Sequence, residues 1–180
     1  VFDKTGTLTK AKPVVADVVP FNNELSADEL LRIAACMEEH FPHSMARAVV
    51  NAAREKHLVH EEMHSKVEYI VAHGISTTIE GKKAVIGSWH FVMEDEKCVI
   101  PDGMEDRFEH LPLECSHLYL AIEGKLAAVI CIEDPLREEA ADAVRELKAA
   151  GITKVVMMTG DSERTAAAIA KRVGEDEYYS

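Results

Sequence analysis

Hydrophobic positions follow two spacings along the chain, and each spacing predicts a different kind of element. Runs with apolar residues at every second position are typical of half-buried strands, and apolar residues three or four apart are typical of amphipathic helices. Strands are predicted near residues 14–19, 67–71, 76–80, 84–87, 118–122 and 126–132, and helices near residues 26–37 and 44–55. Gly81 and Gly124 stand in polar stretches between strands, which predicts hairpin turns and therefore an antiparallel sheet.

The last part of the chain alternates helix and strand instead. Its spacing predicts a helix that Gly151 ends, a buried strand near residues 155–158, and a further helix around residues 166–173. This order is typical of an α/β domain rather than of a meander of strands.

The beginning of the chain fits the same α/β domain. Val1 and Phe2 read as the end of a strand, and a polar loop containing glycine follows them. We therefore expect residues 1–11 and 129–180 to form one α/β domain, into which residues 12–128 are inserted as an α+β domain built on an antiparallel sheet.

Composition and charge disfavour several classes of function. The chain has 180 residues, 47% apolar and 29% charged, which is typical of a folded, soluble domain. A formal charge of −12 repels nucleic acid, and no apolar run approaches the ~20 residues that cross a bilayer. The four cysteines are widely separated, which indicates neither a disulfide framework nor a zinc knuckle and favours a reducing cytoplasmic setting. The chain opens without Met, and we expect it to be a piece of a longer protein.

The first candidate for chemistry is the string DKTGTLT at residues 3–9. An Asp at the end of a strand, followed by Lys-Thr-Gly-Thr, can hold its carboxylate among backbone N–H groups and a metal ion, where it can attack phosphorus. Gly6 permits the close turn that this placement needs. A bare Asp-x-x-Gly would be an ordinary turn, but the complete string favours the catalytic interpretation.

This string resembles the phosphorylation signature of P-type cation-transporting ATPases. The resemblance implies that Asp3 becomes the aspartyl phosphate, that Lys4 helps to balance the charge of the phosphate, and that Asp3 and Thr5 bind Mg²⁺. Related phosphatases of the haloacid dehalogenase superfamily carry a second Asp two positions after the first. Thr5 occupies that position here and cannot shuttle protons near neutral pH, so the resemblance implies a phosphoenzyme that persists.

Two later segments resemble the same family in the expected order. Thr159, Gly160 and Asp161 resemble its Thr-Gly-Asp element, whose Thr hydroxyl and Gly amide would contact phosphoryl oxygens. Taken alone, Asp161 or the next residue is as readily a helix cap. The string DPLR at residues 134–137 resembles the hinge where the inserted domain rejoins the phosphorylation domain.

In the heavy-metal branch of this family, the inserted domain binds ATP with a His-Pro pair at a helix start and an acidic residue upstream. His43 takes the place of the family His without a gap, and Ser44 replaces the usual proline and is predicted to cap the helix. Pairing His40 with a later proline is the alternative and needs a gap. Glu39 is the predicted acidic residue, although Glu38 is adjacent and either can be a solvated charge at the helix end.

The string VAHGIS at residues 71–76 resembles the family's Gly-x-Gly element. Ala72 stands where the first glycine is expected, and Gly74 matches the second. Glycine is favoured there because a ligand plane can approach bare backbone. The resemblance thus adds His73, Gly74 and Gly87 to the predicted nucleotide site, with a turn at a strand end as the alternative for Gly87.

Other clusters favour structural roles. A metal site on one helix face is disfavoured, although His57, His60 and His64 would share such a face if the second helix continued that far. Trp89 and Phe91 are predicted to belong to the core of the antiparallel sheet rather than to a stacking platform.

Together the resemblance implies an incomplete haloacid dehalogenase-like (Rossmann-like) phosphorylation domain with an inserted α+β nucleotide-binding domain. The implied function is transfer of the γ-phosphate of ATP to Asp3, with Mg²⁺, to drive transport of a heavy-metal cation. The implied partners are the protein's own transmembrane and actuator domains at the cytoplasmic face of a membrane, and the membrane helices select the ion. The family's later lysine and magnesium-binding Asp have no counterpart in this sequence, so this chain is expected to bind nucleotide without turnover.

Two other functions remain open from the residues. A haloacid dehalogenase-type phosphatase with a large cap is one alternative, which Thr5 and the nucleotide-site resemblance disfavour. A non-catalytic module that binds nucleotide or metal through residues 12–128 is the other.

Overall fold

The fold is taken from a computed structural model that describes residues 1–39, 43–58, 74–160 and 163–180, and the backbone alone of residues 64–70. The described chain forms two compact units. The smaller unit comprises Val1–Pro13, Pro112–Ser116 and Glu133–Ser180, and the larger comprises Val14–Leu111 and His117–Ile132.

The larger unit contains a six-stranded sheet. Its strands are β2 (Val14–Pro20), β3 (His64–Ile70), β4 (Gly74–Ile79), β5 (Lys82–Gly87), β6 (Ser116–Ile122) and β7 (Lys125–Glu133). They lie in the order β2-β7-β6-β5-β4-β3, and the pairs β3–β4, β4–β5 and β5–β6 are antiparallel. The predicted antiparallel sheet is therefore confirmed, with strands that begin two or three residues before their predicted starts in β3, β4 and β5.

The hairpin turns have the conformation that the glycines predicted. Glu80 and Gly81 between β4 and β5 have φ of 49° and 81°, and Glu123 and Gly124 between β6 and β7 have φ of 50° and 74°. Positive φ at both central residues is the mark of a two-residue turn that matches the twist of the strands.

Helices α1 (Ala27–Glu38) and α2 (Ser44–Glu55) bury their apolar faces in the core of this unit. α1 begins with a capping box, in which the Ser26 hydroxyl accepts from the Glu29 N–H and the Glu29 carboxylate accepts from the Ser26 N–H. This arrangement satisfies backbone donors that a helix start leaves free. Leu30, Ile75 and Leu120 are among the buried residues that join the helices to the sheet.

Two sequence expectations in this unit were wrong. Ser44 does not cap α2, because His43 is the capping residue and its Nδ1 accepts from the Ala46 N–H at 3.1 Å. The end of α2 at Glu55 agrees with the predicted end, and His57 beyond it has φ of 55°. His60 lies outside the described residues, and His64 begins β3.

Trp89 is the second correction, because its side chain is 39% exposed instead of belonging to the core. It follows β5 and packs at the surface against Phe108 of α3 (Glu105–Glu109) and against Tyr119, with ring centroids 5.2 and 5.5 Å apart. Phe91 is buried as predicted, at 1% exposure, but it lies in a wide helical turn over His90–Asp95 rather than in a strand.

The smaller unit contains a parallel sheet of three strands. β1 (Phe2–Asp3) and β9 (Glu177–Tyr179) both pair in parallel with β8 (Val156–Met158), which lies between them. Helices α4 (Ala140–Ala149) and α5 (Glu163–Val173) share a core with the sheet that includes Val144, Met157 and Ile169. The α/β character of this part was predicted, whereas β9 was not.

Candidate functional site

The Asp3 carboxyl group stands at the carboxyl end of a strand. Asp3 is the last residue of β1, its side chain is exposed, and its register partner in β8 is Met158. Because the two strands are parallel, the loops that follow Asp3 and Met158 leave the same edge of the sheet. The predicted residues Thr159 and Gly160 follow Met158 directly, so the structure brings the two predicted phosphoryl-binding loops to one edge.

The loop after Asp3 is a tight turn centred on Thr5 and Gly6. Thr5 has φ −74° and ψ 119°, and Gly6 has φ 81° and ψ −14°, which are the angles of a type II turn. Glycine is favoured at the second central position because φ is positive there. The Thr9 N–H closes the loop by donating to the Lys4 carbonyl oxygen at 3.1 Å.

The side chains of this loop differ in exposure. Asp3 and Thr5 are exposed, whereas Lys4 is only 6% exposed. Thr159 is half-buried and its N–H donates to the Tyr179 carbonyl oxygen at 2.9 Å, which joins the start of the second loop to the end of β9.

Of the two remaining predicted phosphoryl-site residues, the structure describes Gly160. Gly160 is exposed, and a Cβ built on it would meet no atom within 4 Å. Asp161 lies outside the described residues, so its predicted role stays a prediction.

The predicted nucleotide site includes a half-exposed histidine, His43, beside a buried carboxyl group, that of Glu38. His43 caps α2 through Nδ1, which leaves Nε2 as the protonated nitrogen of the neutral ring. Nε2 lies 3.2 Å from Oε2 of Glu38, whose side chain is 2% exposed. Among the described residues Oε2 accepts no aligned hydrogen bond, so the pair is in close contact without satisfying the carboxyl group.

Burial dominates the electrostatics of this pair. Desolvation raises the pKa of Glu38 from 4.5 to about 7, and it lowers the pKa of the His43 imidazole. Both shifts favour the neutral forms near neutral pH. Near neutral pH the pair therefore carries less charge than an ordinary glutamate–histidine ion pair.

Glu38 is a candidate site residue that the sequence interpretation named only as the alternative to Glu39. Glu39 was preferred, but its side chain is exposed, whereas Glu38 is buried beside His43. The helical spacing indicated that Glu38 is buried. Leu31, Ala35 and Glu38 lie four and three residues apart and therefore on one face of the helix. An acidic residue in phase with a buried apolar face needs a reason to be there.

The predicted glycines lie opposite each other on paired strands. Gly74 of β4 is the register partner of Gly87 of β5. A Cβ added to Gly74 would lie 2.3 Å from Phe91 Cδ1 and 2.5 Å from the Ile86 carbonyl oxygen, so a protein ring, and not only a ligand, requires glycine there. The predicted reason, approach of a ligand plane to bare backbone, stays a prediction beside this steric one. His73 and Ala72 lie outside the described residues.

The two halves of this site belong to one core. Met37, Ile75 and Ile86, which adjoin Glu38, Gly74 and Gly87 in the chain, are buried in the same cluster. The core therefore joins the helix ends that carry His43 and Glu38 to the strands that carry the glycines.

The described residues contain neither a metal-binding cluster of side chains nor a membrane-spanning helix. Across them, no cluster of three or more His, Cys, Asp or Glu side chains is arranged to hold a metal ion. Within the same ranges, no helix is both long and apolar enough to span a membrane.

Comparison with known proteins places the chain in a family. A model of the haloacid dehalogenase-like hydrolase family matches residues 1–180. A manganese-exporting P-type ATPase of Mycobacterium leprae is 34% identical over 179 residues, which are 98% of this chain and 24% of that protein. A copper-transporting ATPase of Rhizobium meliloti is 37% identical over 176 residues, which are 97% of this chain and 21% of that protein.

A solved structure gives the same result. A zinc-transporting PIB-type ATPase in its E2.Pi state matches with a TM-score of 0.76 and 31% identity over 99% of this chain and 28% of that chain. These comparisons confirm the predicted fold class and the resemblance to heavy-metal P-type ATPases. The chain spans about a quarter of the length of the curated relatives that it matches. The chain therefore belongs to the haloacid dehalogenase-like hydrolase family, and its relatives there are heavy-metal-transporting P-type ATPases.

Proposed function

We propose that this chain is the ATP-binding and phosphorylation region of an ATP-driven heavy-metal transporter. The observation that carries the proposal is the parallel register of Asp3 with Met158, which puts an exposed carboxylate beside the loop of Thr159 and Gly160. In this proposal the smaller unit is the phosphorylation domain and the larger unit is the nucleotide-binding domain, close to the predicted boundaries at residues 11/12 and 128/129.

Asp3 acts as the nucleophile. One of its carboxylate oxygens attacks the γ-phosphorus of ATP, the bond from that phosphorus to the β,γ-bridging oxygen breaks, and ADP leaves with the bonding electrons. Asp3 then carries an acyl phosphate. The Thr159 hydroxyl and the Gly160 N–H donate to phosphoryl oxygens at the same sheet edge, and Asp161 and Lys4 complete the proposed set.

Thr5 determines how long the acyl phosphate lasts. Hydrolysis by water is fast when a carboxylate two positions after the nucleophile can take a proton from that water. The Thr5 hydroxyl has no such capacity near neutral pH. The phosphorylated state therefore persists long enough to be coupled to a conformational change, which a pump needs and a phosphatase does not.

The residues at this edge suit Mg²⁺. Mg²⁺ prefers oxygen ligands and is commonly held by one or two carboxylates together with substrate phosphates and water. Asp3 and Thr5 are both exposed in one turn and supply a carboxylate and a hydroxyl, so the phosphates of ATP are needed to complete the set. When bound, Mg²⁺ supplies charge neutralisation at the transferring phosphoryl group.

The larger unit binds the adenine nucleotide. The side chain of His43 is 47% exposed at the start of α2, which leaves a ring face for the base, and the neutral Glu38 carboxyl beside it can donate or accept a hydrogen bond. Glu38 takes the place of Glu39 in the proposed set, which also includes Gly74, Gly87 and His73.

The whole protein, in this proposal, carries transmembrane and actuator domains and places this chain at the cytoplasmic face of a membrane. The transported ion is a heavy-metal cation. The matched relatives have names that specify manganese and copper, which fits a shared phosphorylation region that serves different ions.

Phosphoenzyme formation tests the proposal. The full-length protein in membranes is incubated with ATP labelled at the γ-phosphate, quenched in acid and mapped by mass spectrometry. We expect a hydroxylamine-labile label at Asp3 that Asp3→Asn abolishes, because the amide cannot form an acyl phosphate.

The two alternative functions give different outcomes. Turnover of p-nitrophenyl phosphate by the wild-type protein without a trapped acyl phosphate would indicate a phosphatase. ATP binding with no label at Asp3 would indicate a non-catalytic nucleotide-binding module. Either result overturns the proposed function.

A further inference from the structure

The turn after Asp3 is held by Arg137. The Arg137 Nε donates to the Thr7 carbonyl oxygen at 2.9 Å, and Nη2 donates to the Gly6 carbonyl oxygen at 3.2 Å. The Arg137 backbone N–H donates to the Leu8 carbonyl oxygen at 2.8 Å. One residue therefore binds three consecutive carbonyl groups of the turn.

The buried Thr9 hydroxyl and the Asp134 carboxylate form a second set of contacts with the same turn. Thr9 is fully buried, and its hydroxyl lies 2.5 Å from Asp134 Oδ2, which accepts its proton. Oγ1 of Thr9 accepts from the Gly6 N–H at 3.1 Å, and it lies 3.2 Å from the Lys4 carbonyl oxygen. Asp134 Oδ1 accepts from the Lys12 N–H at 3.0 Å. The Asp134 carboxylate thus binds Thr9 and Lys12 directly, and it reaches Lys4 and Gly6 of the turn through the Thr9 hydroxyl.

Backbone contacts also join the end of the turn to residues 134–137. The Lys10 N–H donates to the Pro135 carbonyl oxygen at 2.9 Å, and Thr9 bridges Leu136 in antiparallel fashion. β1 has only two residues, so strand pairing alone holds little of the loop that follows Asp3. The contacts with residues 134–137 supply the restraint that the short strand does not.

We propose that Arg137 and Asp134 are positioning residues for phosphoryl transfer, which hold the turn of Lys4–Leu8 so that the Asp3 carboxylate is presented to the γ-phosphate. This inference rests on the proposed function. It gives residues 134–137 a task beyond joining two domains, and it makes Thr9 the intermediary through which Asp134 acts. Neither residue touches the reacting atoms in this proposal.

The test separates positioning from folding with matched variants of the full-length protein. Arg137→Gln and Thr9→Val remove the contacts, and Arg137→Lys keeps the charge but not the planar fork that donates from Nε and Nη2. Thr9→Ser keeps the hydroxyl. Arg145→Gln is the control, because Arg145 lies on the surface of α4 and pairs only with Asp142 among the contacts found for its side chain in the described chain.

Single-turnover labelling measures the maximal rate of phosphorylation and the ATP concentration at half of that rate, and the labelled amount is normalised to folded protein. We expect the maximal rate to fall about 10- to 100-fold in Arg137→Gln, Arg137→Lys and Thr9→Val, since a displacement of about 1 Å can cost 10²-fold. The half-saturating ATP concentration should stay within about twofold, because phosphoryl positioning and nucleotide binding are separate terms. Thr9→Ser and Arg145→Gln should behave like wild type.

The possible failures are distinguishable. Unchanged maximal rates per folded molecule in Arg137→Lys and Thr9→Val, beside a labelled wild type, overturn this inference and leave the proposed function intact. A shift in half-saturating ATP with an unchanged maximal rate does the same. A wild-type protein that forms no label at Asp3 overturns the proposed function and this inference with it.

Discussion

Among single residues, Glu38 is a carboxyl group on the buried face of α1. Its side chain is 2% exposed, lies 3.2 Å from the His43 ring, and accepts no aligned hydrogen bond at Oε2 among the described residues. Leaving a carboxylate there would cost free energy, so burial keeps the group protonated to higher pH. A strained polar group of this kind is more readily explained by a ligand than by stability.

The pH dependence of stability measures the state of Glu38. Its pKa is about 7 in the folded chain against 4.5 in the unfolded chain. Between these values the folded state holds a proton that the unfolded state has released, so the Glu38 contribution to the free energy of unfolding falls as pH rises from 4.5 to 7. Below 4.5 the contribution is complete. We expect the fall to be on the order of 2–3 kcal/mol and to be absent in Glu38→Gln.

Denaturant titrations between pH 4 and 8 test this prediction. His43 acts in the opposite direction, because its lowered pKa makes its contribution rise with pH up to 6.5. Burial also raises the pKa of Glu175, but that effect is common to both proteins and cancels in the difference. Glu55→Gln, an exposed change at the end of α2, is the control. A wild-type profile parallel to that of Glu38→Gln would contradict the prediction.

Residue-level chemistry was only partly readable from the sequence. The turn after Asp3 was predictable because Gly6 and the residues around it form one contiguous string, and a turn depends on neighbouring residues. The helix cap was not, because His43 and Ser44 can both accept from a helix N–H and only the geometry decides between them. The same holds for Glu38 and Glu39, which differ in helical phase by one position.

At the level of elements, the segment that follows the β4–β5 hairpin packs closely against it. The ring of Phe91 lies against Gly74 so closely that a Cβ would be 2.3 Å from Cδ1. Phe91 belongs to the wide helical turn His90–Asp95, which is not part of the sheet. The strands were predictable from period and glycine turns, whereas this turn and β9 were not, because their placement depends on contacts distant in sequence.

Gly74→Ala separates the two explanations of this glycine. If the Phe91 ring requires it, the substitution should lower the free energy of unfolding by about 1–3 kcal/mol through overpacking, even without nucleotide. Gly160→Ala, where a Cβ meets no atom within 4 Å, should change stability little. Chemical denaturation of both variants provides the comparison. Unchanged stability with loss of nucleotide affinity in Gly74→Ala would instead assign the glycine to ligand approach.

At the scale of the whole molecule, the order of the elements was predictable although the chain folds into two units. The smaller unit takes its sheet from both ends of the chain, since β1 pairs with β8 and β8 with β9. The change from strand-rich to alternating pattern indicated this division. The segment Pro112–Ser116 belongs to the smaller unit as well, and no hydrophobic pattern in that segment predicted this.

If these residues form an ATP-binding and phosphorylation region, the chain itself should bind adenine nucleotides. Calorimetric titrations with ATP, ADP, AMP and GTP, with and without Mg²⁺, compare the wild type with His43→Asn and Glu55→Gln. Asn is a good helix cap, so His43→Asn removes the imidazole and keeps the start of α2. We predict adenine-selective binding that His43→Asn weakens at least about tenfold, or about 1.4 kcal/mol, and that Glu55→Gln leaves unchanged. A folded wild-type chain that binds no adenine nucleotide, or binds ATP and GTP alike without need of His43, would contradict the account.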